Sequence, residues 1–236
     1  MRDFSYIERN LAEVRDDIAR IAASSGRPVP TLVCVTKSGS DDELLALVRA
    51  GASDIGENRP GELKRRGDLL SEAGLTPTLH EIGNLQRNKV KYVIERAALI
   101  HSLDSIPLAE EIERLAAKRG ITRNVLIEIN SGREEAKGGV LPEAAEEFFL
   151  SLKRYPHLSV RGLMTMGPAC EGEEIRKYFA LTRELFDKLN TRYGFAGEPV
   201  LSMGMSDSYK IAIEEGSTLV RIGRRLFKNE GEKENV

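Results

Sequence analysis

Lys37 closes the apolar run Thr31-Leu-Val-Cys-Val-Thr36, where a buried strand should give way to a loop. A lysine at the mouth of a packed sheet is placed for partial desolvation, which disfavours the ammonium and frees an amine that can attack an aldehyde. Far along the chain, Ser206 and Gly223 offer a different chemistry. A hydroxyl beside backbone N–H groups that no side chain screens is what a phosphate needs. Each residue also has a plainer reading. Lys37 could be a solvated loop residue, Ser206 or Asp207 the cap of a short helix beginning near Asp207, and Gly223 a turn residue. His80 could act as an acid or base, but its place within a strand favours a structural hydrogen-bonding role.

Composition sets the frame for these residues. The chain has 236 residues, 41% hydrophobic and 31% charged, which fits one α/β barrel built on a single core. A formal net charge of −2 supplies no global field for nucleic acid or an anionic membrane, so neither is expected as a partner. Two cysteines, Cys34 and Cys170, are too few for a disulfide framework. Cys34 reads as a small core residue, and nothing near Cys170 marks it as a nucleophile. With no signal segment and no apolar run of membrane-spanning length, a cytoplasmic protein is expected.

The elements that must position the reactive groups follow from periodicity. Phe4, Ile7, Leu11, Val14, Ile18 and Ile21 recur every three or four positions, predicting an amphipathic helix from Asp3 to Ala23. Short apolar runs then predict strands at Thr31–Thr36, Ala52–Ile55, Leu79–Ile82, Ala98–Ser102, Val125–Asn130, Val160–Met164, Val200–Met203 and Leu219–Ile222. Helical segments are predicted between them, at Asp41–Ala50, Gly61–Ala73, Leu85–Arg96, Ile106–Arg119, Pro142–Arg154, Glu173–Tyr193 and Tyr209–Glu215. Gly51, Gly74, Gly120, Gly194 and Gly216 each follow one of these segments, where a left-handed cap is wanted.

This alternation predicts an α/β fold, a single (β/α)8 TIM-type barrel with an additional N-terminal helix. The barrel is expected over residues 1–228, with a polar, disordered tail at 229–236. In such a barrel the chemistry sits where the carboxyl ends of the strands open into loops, and the loops after strands seven and eight are the habitual phosphate site. Lys37, Glu57-Asn58-Arg59, Asn84, Asp104, Asn130, Met164 to Met166, Ser206 and Gly223-Arg224 all fall at that end. A phosphate grip on one side and a lysine at strand one point to a single ligand spanning both, pyridoxal 5′-phosphate (PLP).

The chain also resembles a known family, the pyridoxal phosphate homeostasis proteins, from about Leu32 to Phe227. The matching pieces include Val33-Cys-Val-Thr-Lys37, Ile55-Gly-Glu-Asn-Arg59, His80-Glu-Ile-Gly-Asn-Leu-Gln-Arg-Asn-Lys89 and His101-Ser-Leu-Asp104. Arg161-Gly-Leu-Met164, Leu201-Ser-Met-Gly-Met-Ser206 and Glu215-Gly-Ser-Thr-Leu-Val-Arg-Ile-Gly223 complete the set. The resemblance implies a barrel like the cofactor domain of alanine racemase, without that enzyme's second domain. It implies PLP held as a reversible Schiff base on Lys37. Ser206 and the backbone of Gly223 and Arg224 would then hold the phosphate, Arg221 would face the pyridine nitrogen, and Asn58 would line the pocket near the ring. In the family a threonine usually follows Arg-Ile-Gly, a tryptophan precedes the third-strand histidine and a glycine follows the final phenylalanine. Here those positions are Arg224, Leu79 and Lys228.

An arginine opposite the pyridine nitrogen only donates hydrogen bonds, so it keeps that nitrogen unprotonated and the ring a weak electron sink. The function implied is intracellular PLP homeostasis: binding, storage and release to PLP-dependent apo-enzymes, by a monomer. The alternative is a weak PLP-dependent amino acid racemase. That reaction wants a second base opposite Lys37, for which Tyr209, near the strand-seven loop, is the plausible tyrosine.

Overall fold

The computed structural model describes residues 3–170 and 172–229, so all but the first residue of the expected tail lies outside it. The expected strands all form: β1 (Thr31–Val35), β2 (Asp54–Glu57), β3 (Thr78–Glu81), β4 (Leu99–Leu103), β5 (Arg123–Glu128), β6 (Leu158–Met164), β7 (Val200–Ser202) and β8 (Leu219–Ile222). They pair in parallel in chain order and close as an eight-stranded barrel. Closure runs through β1 and β8, with Thr31 opposite Leu219 and Cys34 opposite Ile222.

Around the barrel lie α1 (Ser5–Ser24), α2 (Asp41–Arg49), α3 (Pro60–Glu72), α4 (Val90–Val93), α5 (Ile106–Arg119), α6 (Ala145–Leu152), α7 (Arg176–Tyr193) and α8 (Tyr209–Glu214). Helices α2 to α8 each follow a strand, whereas among the described residues β8 is followed only by a 3-10 turn, Arg224–Phe227. The amino-terminal helix fills the gap this leaves. It packs against α8, α2 and the 3-10 turn. Its buried stripe Ile7, Leu11, Val14, Ile18 and Ile21 covers Cys34, Val220 and Ile222 of β1 and β8. The additional helix is thus the eighth member of the ring.

Local signals set several boundaries. Ser40 caps α2 through a capping box, accepting from the Glu43 N–H while the Glu43 carboxylate accepts from the Ser40 N–H. The five glycines expected to cap helices all take positive φ, from 62° at Gly120 to 98° at Gly51. The helix expected over Leu85–Arg96 is instead a 3-10 turn, Arg87–Lys89, followed by the short α4. Leu85 and Val90 are both buried, yet five positions on a continuous helix would point them to different faces. The tighter turn brings both into the core.

Two apolar layers lie between barrel and helices. The barrel interior holds a smaller cluster of Val33, Leu99, Leu126, Met164 and Leu219. The other polar side of that interior is unusual: His80, His101, Ser202 and Arg221 are all buried among the strands. No helix among the described residues is long and apolar enough to cross a membrane.

Candidate functional site

Lys37, Asn58, Ser206, Arg221, Gly223 and Arg224 line one cavity of about 930 Å³ at the carboxyl ends of the strands. Val35, Ile82, Asn84, Met166 and Ile175 supply much of the remaining wall. A smaller compartment of about 170 Å³ shares Ile82, Gly83, Asn84 and Met166 with it and adds Glu128 and Asn130.

The turn that presents Lys37 is braced from outside the cavity. Arg66 of α3 donates from Nη1 to the Thr36 carbonyl at 2.5 Å and from Nη2 to the Gly39 carbonyl at 2.6 Å. The same Nη1 lies 2.6 Å from Oε1 of buried Glu57, which also accepts from the Thr36 hydroxyl. The chain on both sides of Lys37 is therefore fixed, while Lys37 itself is exposed. The strand mouth alone does not give the desolvation expected of it. β1 ends at Val35, and the turn carries the side chain out beyond the packed layer.

Arg221 is 3% exposed at the cavity floor. Nη1 donates to Ser202 Oγ at 2.5 Å and Nη2 to the Thr165 carbonyl at 3.1 Å. Burial pulls its pKa down to about 10, against the opposing charge of Glu128, so the guanidinium stays cationic at neutral pH. Glu128 is pushed up to about 7, chiefly by burial and also by Asp104, with Arg221 opposing. Just past β2, Asn58 sits so tightly against the next loop that a Cβ at Gly83 would overlap its carbonyl.

On the phosphate side, Ser206 does not cap a helix. α8 begins at Tyr209 after Ser208, and no side chain among the described residues caps it. Ser208 Oγ instead accepts from the Met205 N–H at 3.2 Å. Ser206 Oγ accepts from the Gly223 N–H at 3.4 Å, which joins the loops after β7 and β8. The Arg224 guanidinium is paired with Asp207 at the exposed rim, and its backbone begins the 3-10 turn after β8. Arg224 therefore does not crowd the floor where Ser206 and Gly223 meet.

His80 takes the structural position expected of it, between Asp54 Oδ1 at 3.0 Å and His101 Nε2 at 3.1 Å. Tyr209 is not at the site. It is 2% exposed, and its hydroxyl bonds Asp17 of α1 and Arg225, on the helix side of the barrel. Sequence reasoning missed Glu128 and the Pro168-Ala169-Cys170 segment, which also line these compartments. Glu128 did carry a signal, an acid at the end of an apolar strand. Cys170 carried none, because only the fold brings its loop over the cavity.

The family model described as alanine racemase, N-terminal domain, matches residues 9–230. The pyridoxal phosphate homeostasis protein of Aquifex aeolicus is 43% identical over 206 residues, covering 87% of this chain and 89% of its own length. That of Escherichia coli K12 is 35% identical over 227 residues, covering 94% and 95%. Among solved structures, PipY of Synechococcus elongatus PCC7942, with PLP bound, superposes with a TM-score of 0.82 at 28% identity, covering 94% of this chain and all of that one. Alanine racemase of Corynebacterium glutamicum shares the fold, with a TM-score of 0.71 at 19% identity, over 99% of this chain but 63% of its own. A lysine, a buried arginine and a hydroxyl–backbone pair meeting at one barrel mouth agree with these relationships, and the chain belongs to the pyridoxal phosphate homeostasis protein family, built on the alanine racemase N-terminal domain.

Proposed function

We propose that this protein binds PLP in the 930 Å³ cavity, holds it reversibly through Lys37 and serves PLP homeostasis rather than turnover of a substrate. The observation that carries this reading is the convergence, in one cavity, of an exposed primary amine, a buried guanidinium and the Ser206–Gly223 pair. The residues fit the group. Ser206 O–H and the N–H groups of Gly223 and Arg224 suit a phosphate, and they lie on the loops where barrels bind one. Asn58 lines the same cavity and would flank the ring. Arg221 can only donate, so it suits an unprotonated ring nitrogen.

When bound, the cofactor supplies an electrophilic aldehyde and a conjugated ring. The chain's part is to present an amine. Lys37 must lose a proton to react, and the braced turn at Thr36 and Gly39 holds it over the cavity while it does so. The position of Tyr209 supports carriage over racemisation, because its hydroxyl is committed to Asp17 and Arg225 on the far side of the strands. In this reading the protein works in the cytoplasm as a monomer and passes the cofactor to PLP-dependent apo-enzymes.

The test is absorbance of the purified protein titrated with PLP, followed by borohydride reduction and peptide mapping. A visible band that reduction fixes to the peptide containing Lys37, and that Lys37→Ala abolishes, is expected. No band at saturating PLP, or a band fixed to another lysine, overturns the proposal.

A further inference from the structure

Four hydrogen bonds run in series through the barrel interior. Asp54 Oδ1 lies 3.0 Å from His80 Nε2, and His80 Nδ1 lies 3.1 Å from His101 Nε2. His101 Nδ1 lies 3.0 Å from Ser202 Oγ, which accepts from Arg221 Nη1 at 2.5 Å. Asp54 opens β2 at the amino-terminal face of the barrel, and Arg221 faces the cavity at the other. His80, His101, Ser202 and Arg221 are each at most 4% exposed. Apolar residues normally fill this space in a barrel, so a polar series of this length calls for a reason.

The chemistry of the groups sets the direction of the series. Arginine only donates, and an ionised aspartate only accepts. Burial favours the protonated form of Asp54, but the hydrogen bonds from His80 and Ser53 outweigh it and hold the carboxyl below its ordinary range. His80 therefore carries its hydrogen on Nε2. Burial above all, with the positive charge of Arg221 adding to it, keeps His101 neutral. One arrangement then satisfies every group: Ser202 O–H donates to His101 Nδ1, His101 Nε2–H donates to His80 Nδ1, and His80 Nε2–H donates to Asp54. In the reverse arrangement His101 would donate to Ser202. Among the described residues the buried Ser202 O–H would then be left without an acceptor, and a buried donor without a partner is destabilising.

We propose that Asp54, His80, His101 and Ser202 form a one-directional hydrogen-bond chain that positions Arg221 for the cofactor ring, anchored by the Asp54 carboxylate at the opposite face of the barrel. The chain rests on the PLP-binding reading only for the identity of the ring. His80, His101 and Ser202 are positioning residues, since they act on the ligand through Arg221. With one N–H of each terminal nitrogen committed, to Ser202 and to the Thr165 carbonyl, the guanidinium plane is fixed and its remaining N–H groups are left for an acceptor.

The test has two parts. Long-range proton–nitrogen NMR of the ligand-free, histidine-labelled protein reads the tautomers directly, because the chain has three histidines and the third, His157, pairs with Glu113 elsewhere. Nε2–H forms of both His80 and His101 at neutral pH are expected. An Nδ1–H form of His101 overturns the direction. Next, PLP is titrated into His101→Leu, Ser202→Ala and His101→Gln proteins. The first two should keep attachment at Lys37, shift the absorbance maximum of the bound cofactor and bind about tenfold more weakly, as loss of one hydrogen bond to a charged group predicts. His101→Gln, which can still accept and donate, should restore the spectrum. An unchanged spectrum in both His101→Leu and Ser202→Ala overturns the positioning role, and Ser202→Ala decides the matter if His101→Leu does not fold. A wild-type protein with the expected tautomers but no PLP band would instead overturn the cofactor reading.

Discussion

Arg66 and Glu57 form a buried ion pair between α3 and β2, Nη1 to Oε1 at 2.6 Å, and the same guanidinium grips the turn that carries Lys37. Removing one partner of such a pair leaves a buried charge uncompensated, which costs about 3–5 kcal/mol. Arg66→Leu should therefore lower the urea midpoint sharply without changing the denaturant slope. It should also weaken PLP binding, because the carbonyls of Thr36 and Gly39 lose their brace. Glu57→Gln retains an acceptor for Arg66 and should cost less. Equal stability of Arg66→Leu and wild type would show that the pair contributes nothing net.

Ser206 and Arg224 should differ in their effect on phosphate binding, although both line the cavity. Ser206→Ala removes a hydroxyl that points at the Gly223 N–H. A hydrogen bond to a charged group contributes about 1.5–3 kcal/mol, so PLP affinity should fall at least tenfold. Arg224→Ala keeps the backbone N–H and loses only an exposed guanidinium paired with Asp207. Exposed pairs contribute little, and affinity should change by less than about threefold. Equilibrium titration of the two variants distinguishes them. A larger loss in Arg224→Ala would mean that the guanidinium itself contacts the phosphate.

The strand order, the barrel and the placement of Lys37, Asn58 and Gly223 at one mouth were legible in the sequence pattern, whereas Arg221 came only from the family resemblance. Apolar runs separated by capped amphipathic segments have few other ways to pack. What could not be read was how side chains meet across elements. The Arg66 brace joins residues of different elements with no periodic signature. The same holds for the series from Asp54 to Arg221, where each residue taken alone reads as one more strand position. Tyr209 failed for a related reason. Its nearness in sequence to the strand-seven loop said nothing of which side of the strands its ring would occupy.

Tyr209→Phe provides a check on that side. The hydroxyl bonds Asp17 and Arg225. Burial raises the Asp17 carboxyl, but those hydrogen bonds overcome it and hold the group at about 2. Losing the hydroxyl should destabilise the fold by about 1–2 kcal/mol, since Asp17 keeps Arg225 but loses a donor. PLP affinity and the absorbance of the bound cofactor should stay as in wild type. A change in that spectrum would place Tyr209 near the cofactor after all.

Glu81 gives the protein a pH dependence opposite to that of an ordinary salt-bridged acid. It is fully buried on β3, its Oε1 accepts from the Gly83 N–H at 3.2 Å, and its Oε2 has no partner among the described residues. Burial raises its pKa from 4.5 to about 8; the Gly83 hydrogen bond opposes this and the charge of Glu57 adds to it. Glu128 is shifted the same way, to about 7. Above the ordinary 4.5 the unfolded chain gives up these protons while the folded chain keeps them. The folded state then binds more protons, so stability falls as pH rises, by at most about 1.4 kcal/mol per pH unit for each group. The loss runs from near 4.5 to about 7 for Glu128 and to about 8 for Glu81. Urea unfolding of the ligand-free protein should show a midpoint that declines between pH 5 and pH 8. Glu81→Gln stays neutral throughout, so its decline should be shallower and it should be more stable than wild type at pH 8. Parallel pH profiles for the two proteins would mean that Glu81 is already ionised in the fold, and its unpartnered Oε2 would then need a donor that approaches it from Gly83 or beyond.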